Sequence, residues 1–187
     1  HVMSLATCIG REMNVFCEAE GQAHRLSFKS PILLYSDFQQ LHQQDNRYYK
    51  IETVDITYQP ATHSLKQAIE QLCEEAQQKV REGAVMLVLS DRKISPERLP
   101  IPAAMAVGAI QHCLVENNLR CDANLIVETA SARDPHHFAV LLGFGATAIY
   151  PYLAYESLAA MSEGQLFDKP LNKVLLNYRN GINKGLY

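Results

Sequence analysis

Ser90, Asp91 and Arg92 stand together directly after the apolar run 84–89 (AVMLVL). A hydroxyl, a carboxylate and a guanidinium in that position can grip a polar ligand, or they can grip one another. Two further apolar runs end in the same way, 125–127 in Glu128, Thr129 and Arg133, and 146–149 in Tyr150, Pro151 and Tyr152. In the ligand reading, Arg92 and Arg133 hold an anion such as a phosphate or carboxylate, and Glu128 is available as a base. In the structural reading, Asp91 accepts loop N–H bonds and Arg92 pairs with a neighbouring acid. The charges then neutralise each other in a buried network, where loss of one partner would cost roughly 3–5 kcal/mol. Residue types alone leave both readings open.

Other chemistry-bearing residues point to less. His136 and His137 are adjacent, and neighbours on a helix diverge by about 100°, so they cannot both face one ion as an i, i+4 pair can; one imidazole is expected to pack inward and the other to face water. Gly143-Phe144-Gly145 precedes an apolar run instead of opening a helix after one, so it reads as a helix stop and not as a dinucleotide fingerprint. The five cysteines, at 8, 17, 73, 113 and 121, are odd in number, widely spaced and without a C-x-x-C. That pattern indicates neither a disulfide framework nor a structural zinc site. Cys73 and Cys113 fall at apolar helix positions, where each reads as a small buried hydrophobe.

These residues need elements to position them. The apolar runs read as strands, and a strand is also expected over 49–58, where Ile51, Thr53 or Val54, and Ile56 alternate against Glu52 and Asp55 and Pro60 ends the run. A helix after it is marked by Leu65, Ala68, Ile69, Leu72, Cys73, Ala76 and Val80 at i, i+3, i+4, i+7 spacing, with Ser64 and Gln67 as a capping box and Gly83 as its C′ glycine. Further helices are expected over 102–114, rich in Ala and Gly and apolar nearly all round, hence deeply buried; after Asp134-Pro135; and near 155–161 and 171–182. Ser30-Pro31 offers an N-cap and an N1 proline for a short helix to about Leu41. The organisation is an irregular lead-in with that helix over 1–47 and a βα repeat over 48–187. The fold class is α/β, with parallel βα units and right-handed crossovers. Four such units make half of a (β/α)8 barrel or most of a small doubly wound sheet, and a half-barrel has edges that need covering. Ligand sites in such folds lie at the strand C-termini.

A hydrophobic fraction of 48% and a charged fraction of 20% over 187 residues fit one globular domain. A net charge of −3 without a Lys/Arg cluster gives no footprint for nucleic acid. No run approaches the ~20 apolar residues of a membrane span, and the start lacks a signal-peptide pattern. These features point to a soluble protein of a reducing compartment, the cytoplasm.

Several segments, in order, resemble one family: VMSLATCIGREMN from Val2, SPIL from Ser30, LSDR from Leu89, IPAAMAVGAIQHCL from Ile101, LIVETASARDPHHFAVLLGFGATAIYPYLAYE from Leu125 and NYRNGINKG from Asn177. Together they resemble the later part of the central domain of the glutamate synthase large (alpha) subunit, the bacterial NADPH-dependent type in particular. The resemblance implies an incomplete (β/α)8-barrel-like domain without catalytic residues. It would brace an amidotransferase domain and an FMN domain of the same polypeptide and contribute to the ammonia path between them. It also implies a parent oxidoreductase that makes glutamate from glutamine and 2-oxoglutarate. FMN, an iron–sulfur cluster and NADPH, the last through a small (beta) subunit, would then belong to that parent and not to this chain. The family's usual SGEAREVHH stands here as TASARDPHH at 129–137, and GYGA and NPYLA stand as GFGA and YPYLA. Loss of the acidic residue ahead of Arg133 fits a structural role for that loop better than a catalytic one. The candidate strand-end network is Ser90, Asp91, Arg92, Glu128, Arg133, His136, His137 and Tyr150.

Overall fold

Strands buried on both faces must be apolar along their whole length, and the central strands here are. The computed structural model describes residues 4–14, 16–44, 46 and 48–187. Its main sheet has four parallel strands, β3 (Ile51–Asp55), β5 (Met86–Ser90), β7 (Asn124–Glu128) and β8 (Ala148–Tyr150), arranged side by side in chain order. Every residue of β5, β7 and β8 is buried. The lead-in contributes a hairpin of β1 (Thr7–Ile9) and β2 (Leu26–Phe28), while β4 (Thr57–Tyr58) and β6 (Leu99–Pro100) form a small antiparallel flap beyond the end of β3.

Side-chain alternation divides the sheet into two cores. Val54, Leu89, Val127 and Ile149 share a register row and pack with helices α2 (Leu65–Arg81), α3 (Ala103–Glu116) and α4 (Pro135–Gly143) and with Ile182 of α6 (Leu171–Leu186). Met86, Val88, Ile126, Ala148 and Tyr150 point the other way, against Ile9, Leu33, Phe38 and Leu41 and against Tyr152 and Tyr155 of α5 (Tyr152–Glu163). Strands in sequential order with all three crossover helices on one face give half of a (β/α)8 barrel; a doubly wound sheet reverses its order and has helices on both faces. The barrel does not close. The face that would be its lumen is filled by the lead-in and α5.

The lead-in also corrects one expected boundary. Ser30-Pro31 does not start a helix. Ile32 pairs in parallel with Ile149, Leu33 N donates to Ile149 O at 2.9 Å, and Ile149 N donates to Pro31 O at 2.8 Å, so this segment covers the free edge of β8. The Ser30 hydroxyl accepts from Ile32 N at 3.0 Å, the local bond a cap would make, but helix α1 (Tyr35–Gln43) begins only after Leu34. The strand expected over 49–58 is interrupted at Ile56, whose N–H donates to Ser90 O. The boundary placed after residue 47 lies outside the described residues.

The remaining punctuation matches its chemistry. Ser64 and Gln67 form the capping box of α2, and Gly83 follows the helix at φ +94°. Asp134 accepts from the N–H groups of His136 and His137, with Pro135 at N1 of α4. Gly145 turns into β8 at φ +113°. Helix α3 is not buried all round: Ala106, Val107, Ile110 and Leu114 are inaccessible, whereas Met105 is 45% exposed. Its Gly108 permits a close approach, since a Cβ there would lie 3.0 Å from the Phe144 ring.

Candidate functional site

Parallel pairing aligns the last residues of the four strands, and Asp55, Ser90, Glu128 and Tyr150 occupy one register row. By alternation this row faces the same side as Val88, Ile126 and Ala148, over the lead-in and α5. Glu128 is the centre. Its Oε2 accepts from the Ser90 hydroxyl at 2.6 Å, and its Oε1 accepts from Arg92 Nε. Arg92 reaches onward, donating through Nη1 to Glu156 at 3.0 Å, and its guanidinium lies 4.0 Å above the centre of the Tyr152 ring. Burial opposes the charge on Arg92, but the bonds to Glu128 and Glu156 outweigh it and hold the guanidinium firmly protonated.

Asp91 forms the second half. It is 3% exposed, accepts from the Thr129 hydroxyl at 2.6 Å and from Ala130 N at 3.1 Å, and ties the end of β5 to the loop after β7. The Thr129 hydroxyl also meets Ser131 Oγ at 2.9 Å. Burial first, and then a hydrogen bond to Asp91, push the Tyr152 hydroxyl well above the usual phenol range. Tyr150 is driven upward by burial, its ring stacked on Phe38 with centroids 4.5 Å apart.

The structure therefore brings Ser90, Asp91, Arg92, Glu128 and Tyr150 to one end of the sheet. Arg133, His136 and His137 lie apart on the loop before α4 and on its first turn. Arg133 is exposed and serves through its backbone, its N–H donating to His137 Nδ1 at 3.3 Å and its carbonyl accepting from the Tyr178 hydroxyl at 2.8 Å. Among the described residues its guanidinium has no hydrogen-bond or ion-pair partner. Contrary to expectation, both imidazoles are exposed, and the inward position is taken by Phe138, which is fully buried.

Sequence reasoning passed over Tyr152 as a guanidinium platform and Glu156 as a partner. Their i, i+4 spacing directly after a strand was the available signal. It also passed over the end of β3. There Asp55 accepts from Thr57 N and Oγ1 at 2.9 and 2.7 Å and from Arg98 Nη2 at 2.9 Å, beside a cavity of about 280 Å³ lined by His63, Gln71, Glu75 and Ile101. Among the described residues no cluster of three His, Cys, Asp or Glu side chains could hold a metal ion, and no helix is long and apolar enough to cross a membrane.

What this arrangement does chemically is hold itself together. Two carboxylates, Glu128 and Glu156, face one guanidinium, Asp91 is engaged by Thr129 and Ala130, and the hydroxyls of Ser90 and Thr129 are spent on carboxylate oxygens. Comparison with known proteins gives this end of the sheet a context. The family model described as the glutamate synthase central domain matches residues 1–187. The chain is 37% identical to the glutamate synthase (NADPH) large chain of Azospirillum brasilense and 36% identical to the glutamate synthase (NADH) of Schizosaccharomyces pombe. It is 38% identical to the chloroplastic ferredoxin-dependent glutamate synthase of Oryza sativa subsp. japonica. Each match covers 99% of this chain but only 12%, 9% and 12% of the respective relative, so the chain spans about a tenth of their length.

Proposed function

Because the chain belongs to the glutamate synthase central domain family, we propose that it is a non-catalytic connecting domain of a glutamate synthase. It braces an amidotransferase domain and an FMN domain of the same polypeptide and borders the ammonia path between them. The parent, in this reading, reductively forms glutamate from glutamine and 2-oxoglutarate, with FMN and an iron–sulfur cluster in its other domains. Its NADPH-derived electrons arrive through a small subunit in the cytoplasm. Lead-in and βα repeat act as one unit, because the lead-in fills the face the repeat leaves bare.

One observation carries the reading: the strand-end network is closed. Catalysis by acid and base needs a group within reach of a substrate proton, whereas Glu128 is engaged on both oxygens by Ser90 and Arg92. The relatives' greater length supports it as well, since most of each lies outside the part that this chain matches. An anion-binding module using Arg92 and Arg133 has weaker support, as Arg92 already faces two carboxylates.

The test is direct. The 187-residue chain alone should neither hydrolyse glutamine nor reduce 2-oxoglutarate, and Glu128→Gln in a full-length large chain should lower glutamate formation relative to glutamine hydrolysis. Turnover by the isolated chain would overturn the proposal. A thermal shift with inorganic phosphate that is lost in Arg133→Ala would instead revive the anion-binding reading.

A further inference from the structure

Two of the five cysteines, 40 positions apart in sequence, meet where α2 packs on α3. Cys113 is buried and Cys73 is half-buried, and both are free thiols. Cys113 Sγ lies 3.6 Å from the Cys73 carbonyl oxygen, near enough for the two thiols to influence each other, and Gln77 Nε2 donates to Cys113 Sγ at 2.8 Å. Two hydrophobes of this size would pack as well as any other small pair. Paired thiols on facing helices can in addition form a bond.

We propose that Cys73 and Cys113 are an oxidative modification site, a dithiol that closes into a disulfide linking α2 to α3 when a low-molecular-weight disulfide such as oxidised glutathione is present. The exchange balances. The Cys73 thiolate attacks one sulfur of the oxidant, forming a mixed disulfide and releasing one thiol. Cys113 then loses its proton and attacks the Cys73 sulfur, releasing the second thiol. The two cysteines are oxidised by two electrons, the oxidant is reduced to two thiols, and both cysteine protons end on those thiols. Cys73 must react first because it is the partly accessible member of the pair. Burial, and then the adjacent Cys113, push the Cys73 thiol up to about 12, so it is almost wholly protonated at neutral pH. The site is thus slow, and the exposed Cys8, Cys17 and Cys121 are modified before it. Closure fixes a loop of about 40 residues, the kind of constraint that stabilises mainly by restricting the unfolded chain.

The experiment is oxidation of the native chain by oxidised glutathione, quenching by alkylation in denaturant, and non-reducing peptide mapping. A variant with Cys8, Cys17 and Cys121 changed to Ser is treated in parallel. The expected result is a peptide pair joined through Cys73 and Cys113 and a gain of roughly 5–10 °C in the unfolding midpoint. Dithiothreitol reverses both, and Cys113→Ala abolishes both. Recovery of Cys73 and Cys113 as alkylated thiols, or only as separate mixed disulfides, would overturn the proposal. The mapping on the unmutated chain decides the matter even if a variant fails to fold.

Discussion

The two ends of the same parallel sheet each hold a guanidinium, and they solve its burial in opposite ways. At the C-terminal end Arg92 faces the carboxylates of Glu128 and Glu156 and rests on Tyr152. At the N-terminal end Arg120 has no acidic hydrogen-bond partner among the described residues. It donates to the Gln111 side chain, to Ala123 O at 2.7 Å and to Gly145 O at 3.0 Å, clamping the turns that lead into β7 and β8. The consequence shows in their protonation: charge-assisted bonds raise Arg92 above its ordinary range, whereas burial pulls Arg120 below it. Carbonyl dipoles compensate a charge less fully than carboxylates do, but they come with the backbone and so fix loop geometry. The N-terminal end is therefore the mechanical one. Asn124 strengthens it, donating to Gly10 O at 2.9 Å and to Val85 O at 3.2 Å, which ties the lead-in to β7.

The largest effect is expected from breaking that clamp. Arg120→Ala would strand three acceptors in a partly buried place, and hydrogen bonds to charged groups contribute about 1.5–3 kcal/mol each. Allowing for water reaching some of them, roughly 3–4 kcal/mol of stability should be lost in urea unfolding. A loss below about 1 kcal/mol would show that the loops are held by packing alone.

A smaller loss is expected at the other end. Glu128→Gln keeps the shape but removes the charge that holds Arg92, and because Arg92 is 42% exposed and retains Glu156, the cost should be nearer 2 kcal/mol than the 3–5 of a fully buried pair. In a double-mutant cycle, Arg92→Ala combined with Glu128→Gln should cost less than the sum, by about 1 kcal/mol. Simple additivity would mean that the two residues do not act together.

This contrast explains what could be read in the sequence. The strand-end chemistry was legible because β5, β7 and β8 are continuous apolar runs, and whatever polar residue follows such a run must lie at its end. That Ser90 meets Glu128 was not legible, for it depends on register, and register is a property of pairs of strands. The clamp was invisible for a related reason. Arg120 sits in a polar turn, where an arginine is ordinarily solvated, and its acceptors at Ala123 and Gly145 are backbone atoms that leave no mark on residue type. The lead-in was misjudged at Ser30-Pro31 because a serine that bonds the N–H two residues on looks the same whether a helix or an edge-covering segment follows. Tertiary pairing with Ile149 decided it.

The smallest expected effect concerns tyrosines on the side of the C-terminal end. The Tyr155 hydroxyl is buried beside α6 and has no hydrogen-bond partner among the described residues, and burial pushes it well above the usual phenol range; the same cause raises Tyr178 to about 12. In the unfolded chain both ionise near pH ~10. Between that pH and about 12 the unfolded state has therefore released protons that the folded state keeps. Stability is then fully present below the unfolded value and falls as pH rises through this window. Tyr155→Phe deletes a hydroxyl that contributes no bond, so at pH 7 it should change stability by no more than about 0.5 kcal/mol, in either direction. It should also flatten the alkaline decline measured by thermal unfolding across that window. An unchanged alkaline slope would mean that the Tyr155 hydroxyl reaches water, and a loss above about 1 kcal/mol at pH 7 would mean that it has a partner after all.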